Sequence, residues 1–455
     1  MKKLVFLVTF LMLTASCGRD ENRKVVEVNT PDGYTFQFMP IYEEGVTDIT
    51  VTIAWPMTWA YEAEKNPAVP YVAAEAILSG GTDDLAPQEI LELFNERNSR
   101  GHLYVRADHA IGELSFPKEH IDKVVSITSK MLATPTFNEN WMNRIKGGFE
   151  ANHKNSQTQT SNKMWDAARF AILGDSPLYT FLSLPDLGKI AGVKTSDLQE
   201  WHLQTITQKP SGIVVTGAIS RRDAARMIDQ LMSNLPQGVE QQTYEQQATF
   251  ESKKILLHVP EAEKTTLSFI GQLPPSAEDG YLTDLLALNY FSQGNGPLFD
   301  AVRNELRASY SFQSSFTNYN RSTRIMFIAG EVETAKLSDA IRVVTDVYDG
   351  YQKFPDLSNF VDLKQAVADG TKDNVRYVDV AARTILELVL DERSPNEAPK
   401  LGETIEAILA KDVAARMSAK FPDANTLLVV AASYDVNALP GACVVTEIKQ
   451  VAECP

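Results

Sequence analysis

The sequence predicts an α+β protein made of two duplicated domains, each a mostly antiparallel sheet covered by helices. Three observations carry this. Strand-patterned and helix-patterned segments follow one order twice along the chain. A polar, Gln-rich stretch at 236–252 (PQGVEQQTYEQQATFES) separates the two runs and reads as a linker. Two short echoes link the halves at a spacing slightly above 200 residues: Leu93-Phe94-Asn95 with Leu298-Phe299-Asp300, and Asp166-Ala-Ala-Arg169 with Val380-Ala-Ala-Arg383.

In the first half, Tyr34-Thr-Phe-Gln-Phe38 and Ile49-Thr-Val-Thr-Ile53 alternate apolar and polar residues, the period of a half-buried strand. Helical spacing follows at 68–79 and 86–99, a strand pair at 102–107 and 111–116, and helices at 118–133, 138–154 and 160–173. After a loop rich in Leu, Pro and Gly come a helix at 195–204, a strand at 212–216 and a helix at 220–234. The second half gives strands at 254–259 and 265–271, helices at 280–292 and 297–307, and strands at 309–316 and 323–331. Helices follow at 334–351, 357–370 and 376–391, with a last strand at 426–430. The division is therefore a signal at 1–17, a tether at 18–30, a domain at 31–235, the linker, and a domain at 253–455.

The 455 residues suffice for two or three domains of roughly 150–200 residues. With 44% hydrophobic and 22% charged residues the chain can bury ordinary cores. A formal net charge of −16 excludes a nucleic-acid binder, which needs a basic face. It suits a basic or neutral peptide ligand, and equally simple solubility. The first residues are a targeting segment. Lys2 and Lys3 precede an apolar run at 4–13, too short for the about 20 residues a spanning helix takes. Thr14-Ala15-Ser16-Cys17 resembles a bacterial lipobox with its Leu one place early, at Leu13. By that resemblance Cys17 is lipidated; a plain secretory signal is the alternative. Cys443 and Cys454 then remain, either paired as a disulfide in an oxidising periplasm or left as free thiols.

The helix Pro70-Tyr-Val72-Ala-Ala-Glu75-Ala76-Ile-Leu-Ser-Gly-Gly81-Thr82, preceded by Pro31-Asp32-Gly33-Tyr34-Thr35-Phe36, resembles the opening of the pitrilysin/insulinase metallopeptidases, the inverzincins. Those proteins carry H-x-x-E-H before a Gly-Thr pair. Aligned on Gly81-Thr82, Val72 and Ala76 stand at the histidine positions and Glu75 at the general base. Counting from Pro135-Thr-Phe137, the third ligand, a glutamate in the family, falls on Asn152, 76 residues beyond Ala76. Two histidines at i and i+4 share a helical face and can reach one metal, and a distant carboxylate leaves a position for water. Valine and alanine offer no lone pair, and without metal-bound water Glu75 has nothing to activate. The six histidines, His102, His109, His120, His153, His202 and His258, are scattered, so no metal site and no cofactor are expected in this chain.

The family's second signature, R-x-x-x-G-L-x-Y, is met by Gly294-Asn-Gly296-Pro-Leu-Phe299-Asp-Ala-Val-Arg303-Asn-Glu-Leu-Arg307-Ala308-Ser-Tyr310. Arg303 and Tyr310 keep its spacing, while Arg307-Ala308 replaces Gly-Leu. The resemblance implies that this pair reaches substrate opposite a zinc: a guanidinium fork holds a carbonyl or carboxylate, and a tyrosine hydroxyl donates to a developing oxyanion. Without that resemblance, Arg303 is a helix cap and Tyr310 a strand aromatic. Gly294 and Gly296 allow close backbone approach to substrate, or form an ordinary turn.

Lost ligands with a retained Arg303/Tyr310 pair resemble the non-catalytic subunit of a heterodimeric peptidase. The expected partners are a subunit carrying H-x-x-E-H with the zinc, an extended peptide, and a membrane reached through the lipid. The expected place is the periplasm, on the outer rather than the inner membrane, since Gly18 is no Asp-type retention signal. The alternative is a stand-alone lipid-anchored peptide-binding or scaffold protein. A third reading, an enzyme of other chemistry, lacks a G-x-S-x-G or Cys/His arrangement to support it.

Overall fold

The computed structural model describes residues 23–183, 186–239, 248–293, 296–305 and 312–455. The first half contains β1 (Val26–Asn29), β2 (Thr35–Pro40), β3 (Asp48–Pro56), α1 (Val69–Ser79), α2 (Pro87–Glu96), β4 (Arg100–Val105) and β5 (His109–Pro117). It continues with α3 (Ile121–Ala133), α4 (Glu139–Gln157), α5 (Thr160–Leu173), α6 (Pro177–Leu182), α7 (Leu187–Ala191), α8 (Thr195–Thr205), β6 (Gly212–Gly217) and α9 (Arg221–Met232). The second half contains β7 (Lys254–His258), β8 (Thr265–Leu273), α10 (Tyr281–Ser292), α11 (Pro297–Asp300), a π-helical turn (Ala301–Glu305), β9 (Gln313–Asn318) and β10 (Arg324–Val332). Then come α12 (Leu337–Lys353), α13 (Phe360–Asn374), α14 (Val378–Leu390), α15 (Leu401–Ala407), α16 (Ala410–Lys420), β11 (Leu428–Ser433), β12 (Cys443–Val445) and a 3₁₀ turn (Ile448–Glu453).

The two six-stranded sheets repeat one spatial order: β1-β2-β6-β3-β5-β4 and β12-β7-β11-β8-β10-β9. The inner five strands correspond one to one, as a duplicated unit requires. The outermost strand does not. β1 precedes its unit and pairs antiparallel with β2, whereas β12 follows its unit and pairs parallel with β7. Among the other pairs only β2–β6 and β7–β11 are parallel, so both sheets are mostly antiparallel.

Several expected boundaries move. The segment read as a tether, 18–30, contains β1, whose four residues are too few to stand out without their partner strand. The loop after α5 contains α6 and α7, whose short lengths carry no readable periodicity. α15, α16 and β12 were not anticipated either. β9 begins at Gln313, not at 309. In the linker, 240–247 lie outside the described residues, and its flanks are held on the first half by Gln208 N–H to the Pro236 carbonyl (2.8 Å) and Thr249 N–H to the Ile172 carbonyl (2.9 Å).

The expectation that each domain's own helices cover its sheet needs a correction. One face of the first sheet packs on α1, α3 and α9, but its other face is covered by α14 from the second half. Reciprocally, α5 from the first half lies on β7, β8 and β11. The Ala-Ala-Arg echo marks these two exchanged helices. Ala167 and Ala168 of α5, and Ala381 and Ala382 of α14, are wholly buried, and their small side chains let the helices sit close to the strands. Gly212 of β6 gives α14 room, because a Cβ there would lie 3.0 Å from Val389 Cγ1. Thr216 Oγ1 donates to the Val378 carbonyl (2.7 Å), and Arg383 Nε lies 3.0 Å from Glu113 Oε2 on buried β5. On the other side, Ser268 Oγ donates to Met164 Sδ (2.9 Å), and Trp165 meets Phe327 edge-on at 5.0 Å.

A third tie joins the hairpin tips. The Asp108 carboxylate, in the β4–β5 turn, accepts from the Tyr61 hydroxyl and from the Arg321 N–H (2.8 Å) in the β9–β10 turn. Burial raises the Asp108 pKa. Burial, helped by the charges of Arg321 and Arg106, lowers that of neighbouring His109 to about 4.

Inside the second half, α10 is buried on nearly all sides and carries Asp284, which has no exposure. Its carboxylate accepts from Arg324 Nη1 of β10 (2.9 Å) and from Arg416 Nε and Nη2 of α16 (2.8 and 3.0 Å). Arg324 also stacks on Phe316, 3.9 Å from the ring centre. One buried anion thus fixes a helix, a strand and a second helix together.

Three outcomes are expected. A chain split within 240–247 yields fragments that each lack a cooperative thermal transition, while the co-expressed pair shows one, because each sheet needs the other fragment's helix. Asp284→Asn costs about 3–5 kcal/mol in urea unfolding, the price of leaving a buried guanidinium poorly paired. His109 has a folded pKa below its unfolded value, so its contribution is intact above pH 6.5 and is lost as pH falls through about 4. Asp108, raised above 3.8, has the opposite sign, favouring the folded state at low pH. Unfolding free energies measured between pH 7 and 4 should fall less steeply in His109→Asn than in the wild type.

Candidate functional site

α1 starts on Pro70, whose fixed φ suits a first helical turn, and stops at Gly80-Gly81. Gly81 has φ +94°, a left-handed value that a side chain would strain, and an added Cβ would also lie 2.9 Å from the Leu85 carbonyl oxygen. The stop is tied to the next elements. Thr136 Oγ1, in the Pro135-Thr-Phe137 motif, donates to the Gly80 carbonyl (3.2 Å), and Trp141 Nε1 of α4 donates to Ser79 Oγ (2.8 Å). At the other end of α1, Tyr71 meets Phe149 of α4 edge-on at 6.5 Å. These two contacts set α1 and α4 side by side and antiparallel. Val72 then faces the α4 turn around Gly148, and Asn152 stands one turn further on.

The three ligand positions adjoin, as the alignment requires, but their side chains are not a donor set. Val72 and Ala76 are both 1% exposed and belong to the apolar core, while Glu75 and Asn152 point to solvent. An aliphatic pair and a lone carboxamide do not fit zinc. The histidines offer no replacement. His102 stacks on Tyr104, and His202 Nε2 is 2.6 Å from the Leu132 carbonyl, its pKa lowered by burial. Among the described residues no group of three His, Cys, Asp or Glu side chains is placed to hold a metal.

Arg303 lies in the π-helical turn that follows α11, is exposed, and stacks on Phe299 with its guanidinium carbon 5.0 Å from the ring centre. π turns are rare and recur at functional sites. Gly296 caps α11, and a Cβ there would lie 2.3 Å from the Tyr290 carbonyl oxygen, so the close chain path itself accounts for that glycine. Gly294, Tyr310 and Cys17 lie outside the described residues. Cys443 and Cys454 are joined as a disulfide with Cα atoms 5.6 Å apart.

Sequence reasoning missed a polar cluster beside α1. Ser183 Oγ donates to Asp166, and Arg169 sits 3.5 Å from Asp166 on α5. The Arg169 charge acts on three buried tyrosines, Tyr71, Tyr179 and Tyr319, whose pKa values burial raises. The Asp-Ala-Ala-Arg echo was its one signal, read then only as a mark of duplication. The Leu-Phe-Asn/Leu-Phe-Asp echo, by contrast, joins unlike places: the last turn of α2 and the first turn of α11. An apolar cavity of about 30 Å³ is lined by first-half residues such as Trp55, Phe94 and Met131; it holds a water or two and no peptide.

Residues 193–367 match the family model described as "Peptidase M16 inactive domain", which bears out the pitrilysin/insulinase resemblance read from the motifs. No curated protein sequence matches the chain. A crystal structure of a peptidase M16 inactive domain from Pseudomonas fluorescens is 18% identical and superposes with a TM-score of 0.79, covering 91% of this chain and 100% of that one. The periplasmic protease PqqL from Escherichia coli is 13% identical with a TM-score of 0.70, over 94% of this chain and 50% of its own. The ferredoxin protease FusC, solved in complex with Arabidopsis ferredoxin, is 11% identical with a TM-score of 0.72, over 91% and 45%. The fold is thus that of M16 proteins across nine-tenths of the chain.

The burial contrast at the vestigial site gives a direct test. Val72→His, which buries an imidazole in a packed core, should cost about 1–3 kcal/mol in urea unfolding. Glu75→Gln, on the exposed side of the same helix, should stay within about 0.5 kcal/mol.

Proposed function

We propose that this chain, a peptidase-like protein with an M16 inactive domain in residues 193–367, is the non-catalytic, peptide-binding subunit of a heterodimeric zinc metallopeptidase of the cell envelope. The observation that carries this is one of size. The chain matches about half of PqqL and of FusC, and it matches a solved first half of PqqL over 96% of that fragment. In those proteins a unit like this one shares a polypeptide with a comparable length of chain. Here the unit is alone and lacks zinc donors at Val72, Ala76 and Asn152. A second chain with H-x-x-E-H would complete it.

In that assembly this chain's part is to bind and orient. Arg303, on an exposed π turn, would hold a backbone carbonyl or carboxylate of an extended peptide through its rigid fork. Tyr310 would donate its hydroxyl to the oxyanion forming at the scissile carbonyl. Zinc on the partner would supply the Lewis acid and the activated water. Glu75 would take no part. The periplasmic site of PqqL agrees with lipidation at Cys17 and a periplasmic, outer-membrane-anchored place for this chain. Among the described residues no helix is long and apolar enough to cross a membrane.

The test is metal content and peptide hydrolysis by the chain from Asp20 onward, alone and co-expressed with an H-x-x-E-H protein encoded beside it. The expected result is no stoichiometric zinc and no cleavage alone, and zinc-dependent cleavage by the pair. Arg303→Ala and Tyr310→Phe should each slow the pair about 10²-fold, the scale of a lost oxyanion or positioning contact, while Glu75→Gln leaves it unchanged. Peptide binding by the lone chain with no gain from any such partner would favour a stand-alone peptide-binding or scaffold protein. Stoichiometric zinc and cleavage by the lone chain would overturn both readings.

A further inference from the structure

The two exchanged helices are not held alike. The outer side of α14 is met by a 3₁₀ turn, Pro395–Lys400, that simply continues the chain beyond it. α5 is held by the far C-terminus. β12 adds to the edge of the second sheet beside β7, and the 3₁₀ turn Ile448–Glu453 then packs on α5, whose other side rests on β8 and β11. Val451 and Cys454, 3% and 4% exposed, share one apolar cluster with Met164, Ala167 and Ala168 of α5 and with Ile270 and Val430 of the sheet beneath. Lys253 Nζ donates to the Cys454 carbonyl (2.9 Å), and Lys449 reaches Asp175, just past α5, at 3.7 Å. The Cys443–Cys454 disulfide closes this segment into a loop. The chain has only three cysteines, so α14 has no counterpart to it.

We propose that the disulfide-closed tail is a redox-sensitive strap that clamps α5, and through it the first half, onto the second-half sheet. The bond is chemically reachable from one side, because Cys443 is half-buried while Cys454 is enclosed. A thiolate of a dithiol reductant attacks Cys443 Sγ. The S–S bond breaks, and Cys454 leaves as a thiolate and takes up a proton. The reductant's second thiol then attacks the mixed disulfide at the reductant's own sulfur, which frees Cys443 as a thiol and closes the reductant into a cyclic disulfide. Two electrons and two protons pass to the protein. Without the bond, what remains of the strap is a three-residue edge strand and a single 3₁₀ turn, elements that open at little cost. α5 then loses its outer cover. α14 does not.

The experiment is amide hydrogen exchange on the folded, full chain before and after dithiothreitol, with free thiols counted. The expected result is that exchange in 160–173 speeds up by about tenfold or more, exchange in 378–390 stays the same, and reoxidation restores the first value. The Cys443→Ser/Cys454→Ser variant should match the reduced protein; should it fail to fold, the reversible cycle on the wild type still decides. Unchanged exchange in α5 after the thiols appear would overturn the proposal. So would equal acceleration of α5 and α14, which marks general destabilisation, or a disulfide that resists the reductant in the folded protein.

Discussion

The architecture depends on a mutual exchange of helices. A sheet with two apolar faces must bury both, and here neither half can do so with its own residues. α5 leaves the first half to lie on the second sheet, and α14 leaves the second to lie on the first. The central strands β3 and β8 are buried along nearly their whole length as a result. Alanine pairs at the contact bring helix and strand close, and dispersion over that contact grows with closeness. The polar ties at the rim, from Arg383 to Glu113 and between the Asp108 and Arg321 turns, add direction to an attraction that is otherwise non-directional. The two halves behave as one body because each completes the other.

Within that body two local devices set the candidate site. On the first-half side, α1 and α4 are locked antiparallel by Trp141 on Ser79 and by Phe149 on Tyr71. The contacts use none of the ligand positions. The helix pair that would cradle a metal therefore survives with apolar residues in the ligands' place, and Val72 and Ala76 now serve packing. On the second-half side, the buried Asp284 with its two arginines fixes α10, and α10 leads directly into α11 and the π turn that presents Arg303. A well-made frame without zinc donors is what a binding subunit needs.

Much of this was legible beforehand, for identifiable reasons. Long amphipathic helices such as α3, α5 and α12 repeat their apolar residues often enough to stand out from noise. The Gly81-Thr82 stop of α1 was readable because a left-handed turn there demands glycine. β1, β12, α6 and α7 were not readable, since segments of three to six residues owe their form to neighbours rather than to their own pattern. The Leu-Phe-Asn echo misled because three residues can recur by chance in unlike places, whereas the Ala-Ala-Arg echo held because both copies meet one steric demand. The Arg169 cluster was invisible because Tyr71, Tyr179 and Tyr319 come from distant stretches of chain.

By itself the sequence determined the duplicated α+β plan, the absence of zinc donors at Val72, Ala76 and Asn152, and the Arg303-to-Tyr310 spacing. Those are matters of residue type and local period, which need no partner to be read. Only the tertiary structure decided which helix covers which sheet, that Cys443 bonds Cys454 over α5, and that Asp284 binds two arginines at once. Each of these joins residues far apart in the chain, or chooses between pairings that local pattern leaves equal. Burial makes that choice, because only in the folded whole does an uncovered face or an unpaired charge carry its full cost.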